Sequence, residues 1–214
     1  MNELTLREEI VAVAQAIDKA GFCPSKSGNV SARFEGGLLI TPSGLPYAKT
    51  RPEDLIHLSL DGTTLSGERK PSSEWPFHVE IYKARPDAQA IVHTHSPRAT
   101  ALSCARRGIP AFHYMIALCG GADVRCADYA TFGSPELAAN AVRALEGRKA
   151  VLLANHGVIA LGASLAGAHT IVAEVENLAG QYLDLLASGL EPVILDAAEM
   201  ERVSARFSGY GKVG

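Results

Sequence analysis

A chain of 214 residues, 47% hydrophobic and with a mean hydropathy of +0.09, carries enough apolar material for one sizeable core, and no linker-like stretch divides it. A single domain over residues 1–214 is therefore expected. The formal net charge is −3 and the lysines and arginines are scattered, which leaves no basic stripe for a nucleic-acid backbone or an anionic membrane surface. The four cysteines, Cys23, Cys104, Cys119 and Cys126, form no Cys-x-x-Cys pair, so they read as reduced thiols. The opening from Met1 to Glu9 is acidic and amphipathic, and no apolar run approaches the roughly 20 residues of a membrane span. A cytoplasmic protein without nucleic-acid or membrane partners is expected.

In chain order, Leu4, Ile10, Val11, Ala14, Ile17 and Ala20 lie near helical spacing and Gly21 closes the pattern, so the chain begins with a helix. The polar loop from Pro24 to Ser31 runs into Val30-Ser31-Ala32-Arg33-Phe34; Glu35-Gly36-Gly37 turns the chain, and Leu38-Leu39-Ile40-Thr41 returns, which predicts a hairpin. After the small-residue loop Pro42 to Pro46 come a short strand at Leu55 to Leu58, a turn at Asp61-Gly62 and a helix from Glu74 to Ala84. Pro76 is tolerated there because it lies in the first turn. Ile91 to Ser96 follows an apolar lead-in and reads as a buried strand. Helices are expected from Ala99 to Ala105, Pro135 to Leu145, Ser164 to Leu186 and Ala197 to Ser208, with the apolar runs Val151 to Leu153 and Val158 to Leu161 between them. The irregular alternation with hairpin-length returns predicts an α/β fold, a three-layer α/β/α sandwich around a largely antiparallel central sheet. No Gly-x-Gly-x-x-Gly or Walker loop offers a nucleotide site.

The chemistry concentrates at Val92-His93-Thr94-His95. Alternate residues of a strand share a face about 7 Å apart, so both imidazoles can converge on one ion if a third ligand comes from elsewhere. A lone His-x-His is more often a hydrogen-bonded pair in a core. Here His156 sits in Asn155-His156-Gly157 between two apolar runs, where a glycine-relaxed turn can present it at a strand end, and Glu74 opens a helix upstream. Three histidines and a carboxylate form a metal signal. Gly28-Asn29, Ser43-Gly44 and Ser72-Ser73 are clusters that ordinarily just fill turns. Ser72-Ser73, however, precedes a helix N-terminus that favours anions, so together they suggest a phosphate cup whose donors are backbone N–H groups and hydroxyls.

Ser27-Gly28-Asn29-Val30-Ser31, Ile40-Thr41-Pro42-Ser43-Gly44, Pro71-Ser72-Ser73-Glu74-Trp75, Val92-His93-Thr94-His95, His113-Tyr114-Met115, Tyr129-Ala130-Thr131-Phe132-Gly133 and Asn155-His156-Gly157 occur in one order along nearly the whole chain. In that order and spacing the sequence resembles the class II aldolase and adducin-head family, of the L-fuculose-1-phosphate aldolase type. The resemblance implies Zn2+ held by His93, His95 and His156, with Glu74 as catalytic carboxylate and resting ligand, and a catalytic Tyr114 delivered from a neighbouring subunit of a homotetramer. It assigns Asn29, Ser43, Gly44, Ser72 and Ser73 to the phosphate of a sugar substrate, and it points to Phe132, Phe207 and Tyr210 for the aldehyde pocket. The implied reaction is cleavage of a ketose 1-phosphate to dihydroxyacetone phosphate and an aldehyde such as lactaldehyde. On the same fold, L-ribulose-5-phosphate 4-epimerases carry aspartate in place of Glu74, methylthioribulose-1-phosphate dehydratases eliminate water, and an adducin-like scaffold would not need the four donors. Against the family pattern the chain has an extra residue before Pro71, Pro76 at the helix start, and Asp128 in place of a proline. His57 and His169 read as ordinary surface or core histidines, His78 as a packing or supporting residue one turn after Glu74, and His113 as support for Tyr114.

Overall fold

The structure, a computed structural model, describes residues 2–209. Its strands are β1 (Asn29–Phe34), β2 (Gly37–Ile40), β3 (Ile56–Ser59), β4 (Thr64–Ser66), β5 (Ala90–Thr94), β6 (Arg125–Ala127), β7 (Ala150–Leu153) and β8 (Gly157–Gly162). Among the described residues they form one sheet in the order β4-β3-β2-β1-β5-β8-β7-β6. β6 runs parallel to β7, and every other neighbouring pair is antiparallel.

Helices cover both faces. One core packs α1 (Glu3–Lys19), α3 (Pro97–Cys104), α5 (Leu165–Ser188) and α6 (Ala197–Gly209) against Val30, Val92, Leu152 and Val158. The other packs α2 (Trp75–Ala84) and α4 (Pro135–Ala144) against Leu38, Ile91, Val151 and Ile159. The period of two along a strand assigns consecutive residues to opposite cores, and because both are apolar the central strands read as continuous hydrophobic runs. The expected α/β/α sandwich is what the chain forms.

The helices start where side-chain caps permit. Asn2 accepts from Thr5 N–H, Ser134 from Leu137 N–H ahead of Pro135, and Ser164 from Gly167 N–H; α5 ends at Gly189 with φ 73°. Glu176 of α5 caps α3 from outside, its two carboxylate oxygens accepting from Arg98 and Ala99 N–H at 2.8 Å. β6, a three-residue strand, is too short to show a period in the sequence, and so are the single-turn helices at Tyr47–Lys49 and Pro52–Asp54 and the two-turn helix at Tyr114–Cys119. Among the described residues no helix is long and apolar enough to cross a membrane.

Candidate metal centre and anion cup

β5 is the spine of the site. Its register with β1 sets Asn29 opposite His93, and its register with β8 sets Thr94 opposite Val158. His93, fully buried, shares the α2 face with Ile91, and its Nδ1–H donates to the Val158 carbonyl at 2.9 Å. A carbonyl only accepts, so the proton lies on Nδ1 and Nε2 presents a lone pair. The strand stops at Thr94, two residues earlier than expected, and His95 N–H donates to the Phe22 carbonyl at 3.0 Å. The His95 ring still turns inward, with its Nε2 3.0 Å from that of His93.

His156 comes from the tight turn between β7 and β8. Sequence reasoning assigned the relaxed backbone there to glycine; the left-handed residue is instead Asn155, with φ 55°. Its N–H donates to Ser103 O at 2.9 Å, its side chain accepts from Arg106 Nε–H at 3.0 Å, and His156 N–H reaches Ser103 Oγ at 3.3 Å. Gly157 is needed for a different reason: a Cβ there would lie 2.4 Å from the Thr94 carbonyl oxygen. Glu74 immediately precedes α2, where the helix dipole favours a carboxylate. Its Oε2 lies 3.1 Å from His93 Nε2 and its Oε1 3.0 Å from His156 Nε2.

One ligand atom from each of Glu74, His93, His95 and His156 thus falls within 4.8 Å of all the others. Tetrahedral ligands about 2.1 Å from a common ion lie about 3.4 Å apart, against 3.0–3.1 Å for the His93–His95, His93–Glu74 and His156–Glu74 pairs here. The tautomer of His93 sharpens this fit, because lone pairs and carboxylate oxygens facing one another at about 3 Å repel unless a cation lies between them. A proton on one ring would relieve one contact, whereas a metal ion relieves all. Burial would raise the Glu74 carboxyl, but a proton taken up by the His93 or His156 ring outweighs it, through its charge and the hydrogen bond it would make, and holds the group below the usual carboxylate range. Burial, then His93 and His156, depress His95 to about 3, so it stays in the neutral form that ligates a metal.

Glu74, His95 and His156, with His93 buried behind them, form one wall of a cavity of about 300 Å³ whose other walls include Asn29, Ser43, Gly44, Ser72, Ser73, Tyr129 and Phe132. The expected phosphate residues therefore meet, although by a different construction from a bare helix N-terminus. Two loops run side by side, Ser43 N–H donating to Lys70 O at 3.0 Å and Ser72 N–H to Thr41 O at 3.1 Å. At the start of α2, Glu74 N–H turns to Ser72 Oγ at 3.3 Å, Trp75 N–H to Ser72 O at 3.1 Å, and Pro76 has no N–H to offer. Asn29 is 1% exposed and its side chain bonds Glu74 and His78. Lys26 also lines the cavity and makes no ion pair among the described residues, so a cup expected to rely on neutral donors has a cation at its rim. The sequence offered Lys26 only as one polar residue in a loop; Ser25 and Lys26, both at positive φ, turn it to the cavity.

Phe132 joins this cavity, but Tyr114 and Phe207 do not. They line a second one, of about 700 Å³, with Arg202 and Arg206, their rings stacked 6.3 Å apart at 9°. Tyr114 is 50% exposed, and His113 stacks on it at 4.9 Å as the expected support. Tyr210 lies outside the described residues. Asp128 faces Arg143 of α4 at 3.7 Å and is not a wall of the site cavity. His57 packs edge-on against Phe34, away from the cluster.

Residues 8–183 match the family described as Class II Aldolase and Adducin N-terminal domain. The chain is 49% identical over 210 residues to the 5-methylthioribulose-1-phosphate/5-deoxyribulose-1-phosphate aldolase of Rhodospirillum rubrum, spanning 98% of this chain and 94% of that protein. It is 44% identical over 208 residues to the 5-deoxy-D-ribulose 1-phosphate aldolase of Bacillus thuringiensis serovar kurstaki, spanning 96% and 97%. Among solved structures, an L-fuculose 1-phosphate aldolase superposes with a TM-score of 0.92 at 41% identity, over 95% of this chain and 96% of that one.

Proposed function

The chain belongs to the class II aldolase and adducin family and is an aldehyde-lyase, and on that premise we propose that it cleaves a ketose 1-phosphate between C3 and C4 to dihydroxyacetone phosphate and a short aldehyde. The observation that carries the reading is a single cavity with a four-donor cation site on one wall and an anion cup on another. That pairing suits a substrate with a carbonyl at one end of a short carbon chain and a phosphate beside it. The relatives' names favour a pentulose 1-phosphate with an apolar C5, deoxy or methylthio, whose aldehyde product would be acetaldehyde or its methylthio derivative. Tyr129 and Phe132 at the cavity give such an end an aromatic surface. L-Fuculose 1-phosphate, which would yield lactaldehyde, is the competing substrate named by the structural neighbour.

His93, His95, His156 and Glu74 would hold the ion, and three imidazoles with a carboxylate suit Zn2+. Once bound, it would polarise the substrate carbonyl and stabilise the negative charge that develops on it. Ser43, Gly44, Ser72 and Ser73, with Lys26, would hold the phosphate and so fix C3 beside Glu74. When the C3–C4 bond breaks, its electron pair stays on the dihydroxyacetone fragment and the C4 hydroxyl must lose its proton. Tyr114 would handle that proton at the C4 oxygen, and Glu74 would exchange the proton at C3, for which its ionised state is the accepting form. The exposed Tyr114, in a separate cavity with Phe207, supports a site completed by a neighbouring subunit, in the homotetramer that the family resemblance implies.

The test is to incubate the metal-loaded protein with dihydroxyacetone phosphate and a panel of acetaldehyde, methylthioacetaldehyde, lactaldehyde and glycolaldehyde, and to identify the products. A new carbon–carbon bond with one of these, lost on chelation, is expected. A ketose 1-phosphate that loses water while no aldehyde couples would make the protein a dehydratase.

A further inference from the structure

Behind Glu74 a file of buried polar side chains leads away from the cavity. Asn29, Ser31, His78 and Tyr82 are each 1% exposed or less. Asn29 Nδ2 lies 3.0 Å from Glu74 Oε2, Asn29 Oδ1 contacts His78 Nε2, His78 Nδ1 is 2.7 Å from Ser31 Oγ, and Ser31 Oγ is 2.9 Å from the Tyr82 hydroxyl. The Arg33 guanidinium covers the far end, 4.7 Å from the centre of the Tyr82 ring.

Each junction admits only one assignment of protons. A carboxylate accepts, so the Asn29 amide must donate through Nδ2, which turns its oxygen to His78. An amide oxygen also only accepts, so His78 carries its proton on Nε2 and leaves Nδ1 bare. Ser31 must then donate to Nδ1, and its oxygen is free to accept from Tyr82. Every donor points towards Glu74, and bonds aligned in one sense polarise one another. Were this interior only to be filled, apolar side chains would avoid the desolvation of four polar groups. The file ends on Oε2 of Glu74, while Oε1 approaches His156 without a hydrogen bond of its own.

We infer that His78 is a positioning residue for Glu74. Through Asn29 it fixes the plane and the committed oxygen of the carboxylate, so that the other oxygen is held where the C3 proton is transferred. The inference rests on the aldolase reading for the identity of that proton, but not for the direction of the file.

Two measurements separate the two claims. In protein labelled with 15N-histidine and free of substrate, the His78 ring should be the Nε2–H tautomer between pH 6 and 8, with Nδ1 shifted by the Ser31 hydroxyl and altered in Ser31→Ala. An Nδ1–H tautomer would overturn the inference whatever the activity. The second measurement is solvent exchange of the C3 proton of dihydroxyacetone phosphate, at saturating metal. His78→Phe fills the space but donates nothing, and kcat for exchange should fall by about 10–100-fold, the range typical of support lost behind a site residue, with KM within about twofold of the parent. His78→Gln restores an N–H near the Nε2 position and should recover most of the loss. Equal kcat in His78→Phe and the parent, or a loss that appears only in KM, would refute the positioning role. A parent protein with no exchange at all, but with the stated tautomer, would defeat the aldolase reading and leave the proton direction of the file standing.

Discussion

Lys26 shows how a residue acquires a role from backbone geometry. Nothing in a polar loop marks one lysine as facing a ligand, yet the positive φ of Ser25 and Lys26 turns it to the cavity that holds Ser43 and Ser73. Its side chain is exposed, so its contribution is discounted for solvent, and Lys26→Met should raise KM for a phosphorylated substrate by about 3- to 10-fold, less at high salt, with bound metal unchanged. A KM unaffected at low ionic strength would remove Lys26 from the cup. The buried histidines set a pH dependence of a different kind. Burial, above all, depresses His78 to about 3, and His95 lies at about the same value, against an ordinary 6.5. Between those limits the unfolded chain binds the protons that the native metal-free protein refuses, so stability is full above about pH 6.5 and falls as pH drops towards 3. Glu74, held low, adds its own loss only once the pH passes below the ordinary carboxylate value. Urea midpoints of the chelated protein should therefore decline from pH 6.5 to 5, with an uptake on unfolding that approaches two protons; equal midpoints would show that these rings are not held neutral.

Elements decide which parts of this site could be read from the chain. His93 and His95 were legible because their spacing is local, and His156 because apolar runs bracket it, although the structural reasons differ in detail: His95 lies past the strand, and Asn155 rather than a glycine takes the left-handed turn. What escaped depended on contacts between distant elements. Ser103 at the end of α3 anchors the His156 turn, Glu176 of α5 caps the start of α3, and Asn29 is engaged by Glu74 and His78. Ser103 and Glu176 have no periodicity or motif of their own, and the motif that marks Asn29 assigns it to the phosphate rather than to Glu74 and His78. The closeness of the β5 end to the His156 turn yields a further prediction. Gly157→Ala would set a methyl 2.4 Å from the Thr94 carbonyl oxygen and 3.0 Å from His95 Cδ2. The backbone cannot yield as a flexible side chain would, so the variant should lose about 1–3 kcal/mol of stability and bind metal more weakly through a displaced His95. Parent-like metal affinity in a folded Gly157→Ala protein would show that the two backbones can part without moving the ligand.

For the whole molecule the central question is where Tyr114 acts. It lines a different cavity from Glu74, so if the two cooperate they do so across a subunit boundary. Glu74→Gln and Tyr114→Phe proteins, each impaired in cleavage alone, should regain activity when unfolded together and reassembled, because about a quarter of the sites then pair an intact Glu74 with an intact Tyr114. No recovery in hybrids shown to be mixed oligomers would place both residues within one chain. The register of β5 carries a last consequence, for the order in which the molecule comes into being. β5 pairs with β1 and with β8 across roughly 60 residues of chain on either side, so the donors in Glu74, His93, His95 and His156 come together only when both long closures have been made. A cation arriving earlier would find no more than a His-x-His fragment. Metal should accordingly leave the refolding rate unaltered and slow only the unfolding limb, making the ion a latch on a finished protein rather than a seed for its assembly.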